Sequence, residues 1–222
     1  MFDIKYLQTF RRAPVTLFLL ITSIVISIPT VFRETFGVVT PFVSGADIQY
    51  LFGITTPFSR SLSEVADGEI YRLFTPMFIH FGLIHIVFNM LCLKDLGRLI
   101  EYRLNSNILV AIVLITGVCS NLAQFVFVSA GFGGMSGVIF GFIGYLWVQQ
   151  KYNPNFGVFI PKESFTLVMV WFFACIIGII PYVANHAHAA GLISGGILGL
   201  IDARYDILSR LFNINLLNRL KN

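Results

Sequence analysis

Long apolar stretches alternate with short polar segments along this chain, and the apolar stretches have the length that a membrane-spanning helix requires. About 20 apolar residues in a helix cover the roughly 30 Å hydrocarbon core of a bilayer. Applied to this sequence, that length predicts six spans, near residues 13–32, 82–102, 107–128, 135–150, 165–182 and 186–203. We therefore expect an all-α polytopic membrane protein, a bundle of six transmembrane helices over residues 1–203, followed by an amphipathic cytoplasmic tail over residues 204–222.

Composition and charge distribution agree with a membrane protein and give its orientation. Of the 222 residues, 56% are apolar and only 12% are charged, which is too little polar surface for a soluble domain. Twelve of the 15 lysines and arginines fall on the side that holds both termini. Because basic loops stay in the cytoplasm, we expect both termini there. The net charge of +4 then reflects orientation and predicts no nucleic-acid partner, since no soluble segment carries a basic patch with interleaved aromatics.

Two of the predicted spans carry small residues four positions apart, a spacing that lets helix backbones approach closely in lipid. In span 4 they are Gly133, Gly137 and Gly141, and in span 6 they are Ala187, Gly191, Gly195 and Gly199. Stripes of this kind mark ordinary packing in many membrane proteins. Here Ser136 adjoins one stripe and His188 adjoins the other, so the two side chains meet if the stripes face each other.

Ser136 and His188 both lie near the outer ends of their spans, at a similar depth. A serine hydroxyl is a poor nucleophile unless a neighbouring base takes its proton, and a neutral histidine can do so. His186 competes for this role, but residues two apart on a helix face roughly opposite directions, and His188 shares a face with Gly191 and Gly195. No Asp or Glu lies in the outer half of any span, so we expect a Ser-His dyad.

The start of span 2 supplies polar groups for the charge that develops in an acyl-transfer reaction. His85 and Asn89 are four residues apart and therefore share a helical face. Either can donate a hydrogen bond to an oxyanion, beside the backbone N–H of Ser136. The alternative is that these polar groups satisfy one another in the core.

A metal or proton transporter that uses the four histidines is a different hypothesis. Helical chelation favours ligands three or four residues apart, whereas His80 and His85 are five apart and His186 and His188 are two apart. The sequence also contains no His-Glu-x-x-His motif. We therefore expect neither a metal nor a cofactor.

Three short motifs on different spans resemble the rhomboid family of intramembrane serine proteases. They are Gly134-Met135-Ser136-Gly137 opening span 4, Ala187-His188-Ala189-Ala190-Gly191 on span 6, and His80, His85 and Asn89 on span 2. Three motifs in the family's order are far more specific than any one of them. The resemblance implies a six-span, rhomboid-like bundle of the bacterial type, located in the bacterial inner (plasma) membrane.

The resemblance also implies a role for each of these residues. Ser136 is then the nucleophile that forms an acyl-enzyme, and His188 is the general base. Asn89, His85 and the Ser136 N–H stabilise the oxyanion. Supporting positions around them are Gly134, Gly137, Phe140, Gly191, His80 and Asn185, and the positions that look structural in relatives are Arg72 and Glu101.

Two residues depart from the family pattern. Tyr71 stands before Arg72 where relatives often have tryptophan. Phe140 stands where many bacterial relatives have a tyrosine that stacks on the catalytic histidine. The ring needed for stacking is kept there, but the hydroxyl is lost.

The implied activity is that of an intramembrane serine endopeptidase, with transmembrane proteins as substrates and the lipid bilayer as its medium. The alternative is an inactive rhomboid relative that binds or escorts membrane-protein clients. Such relatives commonly lose the serine or the histidine, and both are present here. The sequence leaves the physiological substrate and the oligomeric state open.

Overall fold

The computed structural model describes residues 13–56, 59–153, 156–157, 160, 162–179 and 183–205. Over these residues the chain is helical and forms no β-strand, which confirms the expected all-α fold. The α-helices in chain order are α1 (Pro14–Phe36), α2 (Gly45–Phe52), α3 (Ser63–Ala66), α4 (Leu83–Cys92), α5 (Arg98–Arg103), α6 (Ser106–Phe127), α7 (Ser136–Tyr152), α8 (Lys162–Ile176) and α9 (Asn185–Tyr205). The predicted tail lies, from residue 206 onward, outside the described residues.

The helix ends that differ most from the predicted spans are those of α1 and α8, and a glycine follows each within two residues. Helix α1 continues past residue 32 to Phe36, because Gly37 takes a left-handed conformation (φ 68°) and its N–H bonds back to the carbonyl of Arg33. Helix α8 ends at Ile176 instead of near residue 182, and Gly178 follows with a φ of 81°. Arg33 and Glu34 lie within the last turn of α1, so this helix continues beyond its apolar stretch.

The second predicted span is a single helical stretch with an irregular middle. Helices α4 and α5 are joined by a π-helical turn, Leu93–Gly97, which contains the charged pair Lys94 and Asp95. Gly97 lies against α1, where a Cβ would come within 3.1 Å of the Thr16 hydroxyl. The widened turn thus occurs where the helix passes close to its neighbour.

Glu101, on α5, is buried and ties the second span to the first. Its carboxylate accepts hydrogen bonds from the backbone N–H groups of Val15 (2.9 Å) and Thr16 (2.8 Å), and from the Thr16 hydroxyl (2.7 Å). The hydroxyl of Ser106 donates a further bond at 2.7 Å. A carboxylate at this point caps the otherwise unpaired N–H groups that begin α1 and lies at the positive end of its dipole.

The helices bury their apolar surface unequally, as expected around a bundle in lipid. Among the described residues, α1 and α6 are each long and apolar enough to cross a membrane by length and composition. Helix α1 exposes large apolar side chains such as Phe18 (63%) and Val25 (59%) on one side. Helix α7 is buried on nearly all sides, with Phe142 and Tyr145 fully enclosed. It is therefore the central helix, around which the others pack.

Helices α7 and α9 touch backbone to backbone along four glycines, Gly137, Gly141, Gly191 and Gly195, which we call the glycine seam. A Cβ on Gly191 would lie 2.0 Å from the carbonyl oxygen of Gly137. A Cβ on Gly195 would lie at the same distance from the carbonyl of Gly141. The two stripes of small residues thus face each other, and no larger side chain fits between these backbones.

Loop 1, which connects α1 to α4, is ordered by a buried arginine and by a surface carboxylate. Arg72 is 4% exposed and donates to the carbonyl oxygens of Tyr50 (2.8 Å) and Gly53 (3.1 Å), which supports a structural role. The Thr55 hydroxyl donates to Glu64 at 2.6 Å, and this bond is the main reason that the pKa of Glu64 falls to about 2. Both contacts fold the loop back on itself on the side of the bundle where Ser136 lies.

Candidate active site

The loop that delivers Ser136 is held in an unusual conformation by its glycines. Gly134 has a φ of 122°, which side-chain-bearing residues rarely adopt, and its N–H bonds to the carbonyl of Pro76 at 3.1 Å. A Cβ there would also lie 2.8 Å from Nε2 of His85. The N–H of Met135 donates to Nε2 of His80 at 3.3 Å. These contacts fix the point at which α7 begins, and Ser136 is its first residue.

Ser136 and His188 lie in direct contact across the glycine seam. Oγ of Ser136 is 2.8 Å from Nε2 of His188, a normal hydrogen-bond distance. His188 is 5% exposed, and its Nδ1 has no hydrogen-bond partner among the described residues. When the serine hydroxyl donates to Nε2, the ring's hydrogen is on Nδ1, which is the tautomer that a general base requires.

The aromatic ring of Phe140 supports His188 from one side. The two ring centroids are 4.6 Å apart and the ring planes are inclined by 32°. Phe140 in turn contacts Phe172 of α8, with centroids 5.3 Å apart. Loss of the tyrosine hydroxyl at position 140 therefore leaves the ring contact in place.

His186 lies apart from this pair. Its side chain is exposed and stacks on Phe127, the last residue of α6, with centroids 5.2 Å apart and planes inclined by 19°. The structure thus brings His188 to Ser136 and directs His186 elsewhere, as their opposite positions on the helix predict.

His85 and His80 are held in different tautomers by the backbone around them. The N–H of Phe81 donates to Nδ1 of His85 (3.3 Å), so the His85 hydrogen is on Nε2, the atom that approaches Gly134. His80 instead accepts from Met135 through Nε2, so its hydrogen is on Nδ1, beside Ser27 and the Phe78 carbonyl. His85 therefore presents a donor beside the serine loop, whereas His80 braces that loop.

Asn89 is buried on the face of α4 that carries His85. Its amide Nδ2 donates to the backbone carbonyl of His85 at 2.9 Å, and its Oδ1 has no partner among the described residues. An amide nitrogen has two hydrogens, so one remains for another acceptor. Within the described residues, no group of three or more His, Cys, Asp or Glu side chains is placed to hold a metal ion.

The start of α9 is fastened by residues on two other helices. Asn185 donates through Nδ2 to the carbonyl of Cys175, on α8, at 2.9 Å. The N–H of Ala187 donates to Oε1 of Gln124, on α6, at 3.2 Å. Asn185 was an expected supporting residue. Gln124 was missed, although the polar residues Thr116, Ser120 and Gln124 recur every four positions in an otherwise apolar span and predict a polar stripe.

A small cavity opens beside Ser136, between α6, α7 and the start of α9. Its volume of about 10 Å³ is room for one water molecule. Ser120, Asn121, Gly133 and Ala187 are among the residues that line it. The Ser120 hydroxyl is buried and has no partner among the described residues, so it offers a polar group to a water molecule here.

Comparison of the sequence with known proteins finds a family model and a set of relatives that match this chain. Residues 67–205 match the family model described as "Rhomboid domain". The chain is 35% identical to Rhomboid protease GlpG of Klebsiella pneumoniae subsp. pneumoniae over 157 residues, which is 70% of this chain and 55% of that protein. It is 36% identical to Rhomboid protease GlpG of Salmonella newport over 138 residues, 60% of this chain and 49% of that protein. The matches thus span about half the length of these relatives.

Proposed function

Because the chain belongs to the rhomboid family, we propose that it is an intramembrane serine endopeptidase that cleaves transmembrane segments of membrane proteins. The observation that carries the proposal is the 2.8 Å contact between Ser136 Oγ and His188 Nε2 at a buried helix seam. Its relatives are named rhomboid proteases. A serine and a histidine at hydrogen-bond distance are the minimum that nucleophilic acyl transfer requires.

In the first half of the reaction, Oγ of Ser136 attacks the carbonyl carbon of the substrate peptide while its proton passes to Nε2 of His188. The tetrahedral intermediate collapses when the C–N bond breaks. The leaving amine takes the proton from Nε2, and the acyl group remains on Ser136. Because no carboxylate contacts His188 Nδ1 among the described residues, the base acts as part of a dyad, with its ring held by Phe140.

The negative charge of the intermediate falls on the substrate's carbonyl oxygen, close to three donors. The N–H of Ser136 is in the first turn of α7, where backbone N–H groups have no partner within the helix. Nε2–H of His85 approaches the same loop at Gly134, and the second amide hydrogen of Asn89 is on the same face of α4. Donors fixed before the reaction stabilise the transition state without reorganisation.

The second half of the reaction needs water inside an apolar bundle. The cavity beside Ser136 has room for one water molecule and is lined by the hydroxyl-bearing Ser120. His188 Nε2 takes a proton from this water, whose oxygen attacks the acyl carbon. The ester bond to Oγ then breaks, Oγ regains its proton, and the free carboxylate leaves.

With both termini in the cytoplasm, α7 and α9 descend from the outer surface, and the dyad is near the outer end of each helix. Cleavage is then expected close to the outer boundary of a substrate helix. The substrate's peptide bonds are hydrogen-bonded within its own helix, so that segment has to unwind locally before attack. Segments with small or helix-weakening residues near that boundary are the expected substrate class.

The test is Ser136→Ala measured against Ser23→Ala. Ser23, on α1, is buried and its hydroxyl has no partner among the described residues, so its loss leaves the site intact. The purified wild type and the Ser23 variant should cleave a model transmembrane substrate in liposomes and react with a fluorophosphonate probe. The Ser136 variant should do neither while keeping its thermal unfolding temperature.

The same experiment separates the enzyme from an inactive, client-binding relative. An inactive relative would bind the model substrate without cleaving it and would leave the probe unreacted. Cleavage by the Ser136→Ala variant would remove the proposed nucleophile. Absence of cleavage and labelling in the wild type would remove the enzyme assignment.

A further inference from the structure

One histidine of this chain has no part in the proposed reaction, although it is two residues from the general base. His186 is exposed and its ring lies almost parallel to that of Phe127, which is itself 70% exposed. Both rings remain largely exposed while they stack. Their stacking is therefore a local contact between helix ends, separate from the core packing of the bundle.

The first turn of α9 makes a different contact at each of four consecutive residues. Asn185 bonds to the Cys175 carbonyl on α8, and His186 stacks on Phe127 of α6. The N–H of Ala187 bonds to Gln124 of α6, and His188 bonds to Ser136 of α7. The position of His188 is thus set by the fit of this one turn against three helices.

Helix α6 holds this turn from one side with its own last turn. Gln124 and Phe127 are three residues apart and therefore share a helical face. Ala184, which precedes α9, has no side-chain acceptor to cap the helix, so the Ala187 N–H finds its acceptor on Gln124. The Phe127 ring adds the second contact, against the residue directly before Ala187. Both contacts restrain rotation of α9 about its axis, the movement that would swing His188 away from Ser136.

We propose that His186 is a positioning residue, whose stacking on Phe127 pins the start of α9 to the end of α6 and so keeps His188 Nε2 within reach of Ser136 Oγ. The inference rests on the proposed function, since it concerns the base of that reaction. The His186 ring stacks on Phe127 and not on Ser136 or the His188 ring, so its contribution is to catalytic geometry. The ring contact is what matters, so another aromatic ring at this position should serve.

The expected effect is a fall in kcat of roughly three- to tenfold when either ring is removed. This is the rate change that corresponds to the interaction energy of one aromatic pair. KM should stay within about twofold of the wild-type value, because substrate contacts are unchanged. His186→Ala and Phe127→Ala should not add in the double variant, since both remove the same contact. His186→Phe keeps the stacked ring and should restore kcat to at least about half of the wild-type value.

Phe165→Ala is the matched control. Phe165 of α8 stacks on Trp147 of α7 with centroids 5.5 Å apart and planes inclined by 10°. Trp147 lies roughly 16 Å along α7 from Ser136, so losing this stack should leave kcat unchanged. All variants are assayed as full chains in liposomes, with kcat, KM, the rate of fluorophosphonate labelling and the thermal unfolding temperature.

The proposal is supported if kcat and the labelling rate fall in parallel in the two single variants and in the double variant. His186→Phe should restore both. It is overturned if His186→Ala keeps wild-type kcat. It is also overturned if His186→Ala lowers the unfolding temperature along with kcat and Phe165→Ala lowers kcat by the same factor. Failure of His186→Phe to rescue would also overturn it, since stacking would then not be the cause. A wild type that neither cleaves nor labels would instead refute the proposed function.

Discussion

Replacing Gly191 with alanine is the sharpest probe of the glycine seam, because the new methyl group has no room. Its Cβ would lie 2.0 Å from the carbonyl oxygen of Gly137 and 2.9 Å from the hydroxyl of Ser120, whereas ordinary contact begins at 3.4 Å. The atom 2.0 Å away belongs to the backbone and cannot rotate aside. Helices α7 and α9 must therefore part by roughly 1 Å or more at this level.

Stability and activity should respond differently to that separation. Overpacking costs about 1–3 kcal/mol, while alanine gains about 1 kcal/mol over glycine in helix propensity, so the net loss of stability is only about 0–2 kcal/mol. Catalysis is more sensitive, because His188 is one turn before Gly191 on the same helix. Moving Nε2 from 2.8 Å to beyond about 3.5 Å from Oγ breaks the hydrogen bond, and a 1 Å misplacement costs about 100-fold in rate.

Gly196→Ala supplies the control on the same helix. Its Cβ would meet only the side chain of Val148, at 3.9 Å, which is ordinary contact. That variant should keep wild-type kcat and gain up to about 1 kcal/mol in stability. The assay compares kcat for a transmembrane substrate, fluorophosphonate labelling rate and thermal unfolding. A Gly191→Ala protein with wild-type kcat would show that the catalytic geometry does not depend on the close backbone approach.

Two further predictions concern the carboxylates that order the bundle and loop 1. Glu101→Gln should lower the free energy of unfolding by about 2–4 kcal/mol, because an amide NH₂ would face donors at Val15, Thr16 and Ser106. An unchanged thermal transition would contradict the capping role. The pKa of Glu64 is about 2, below its ordinary 4.5, so its bond to Thr55 should stabilise loop 1 above about pH 4.5 and be lost as pH falls towards 2. A ¹³C-NMR titration of that carboxyl checks this, and a midpoint near 4.5 would refute it.

The pairing of Ser136 with His188 was accessible from the sequence because three kinds of information agree on it. Apolar length places both residues at the same depth, the four-residue spacing of glycines places both beside a close helix contact, and a helix directs His186 away. Each signal is local and depends on helical geometry alone. These three signals agree at one place in the structure, where the backbone of Gly191 packs against the carbonyl of Gly137.

The partners that hold the site were not accessible in the same way, because they come from distant parts of the chain. Ser27 of α1 bonds to His80, and Gln124 of α6 bonds to the N–H of Ala187, across sequence separations of 53 and 63 residues. Polar residues recur along both spans, which predicts a buried polar face. The partner that each one meets depends on how the helices rotate in the assembled bundle, and local helical spacing does not predict that rotation.

The four histidines show how this fold gives one side chain four uses. Nδ1 of His85 accepts from the N–H of Phe81, so the Nε2–H of His85 is a donor. Nε2 of His80 accepts from the N–H of Met135, so the His80 ring braces the serine loop. His188 receives no backbone donor at either ring nitrogen among the described residues, which leaves Nε2 to accept the proton of Ser136. His186, outside the core, contributes only a ring surface. In the proposed mechanism, backbone hydrogen bonding therefore separates the oxyanion donor from the base. A variant that moved the Phe81 N–H away from His85 would let the hydrogen exchange between Nδ1 and Nε2, and we expect it to weaken the proposed oxyanion stabilisation without changing the contact between Ser136 and His188.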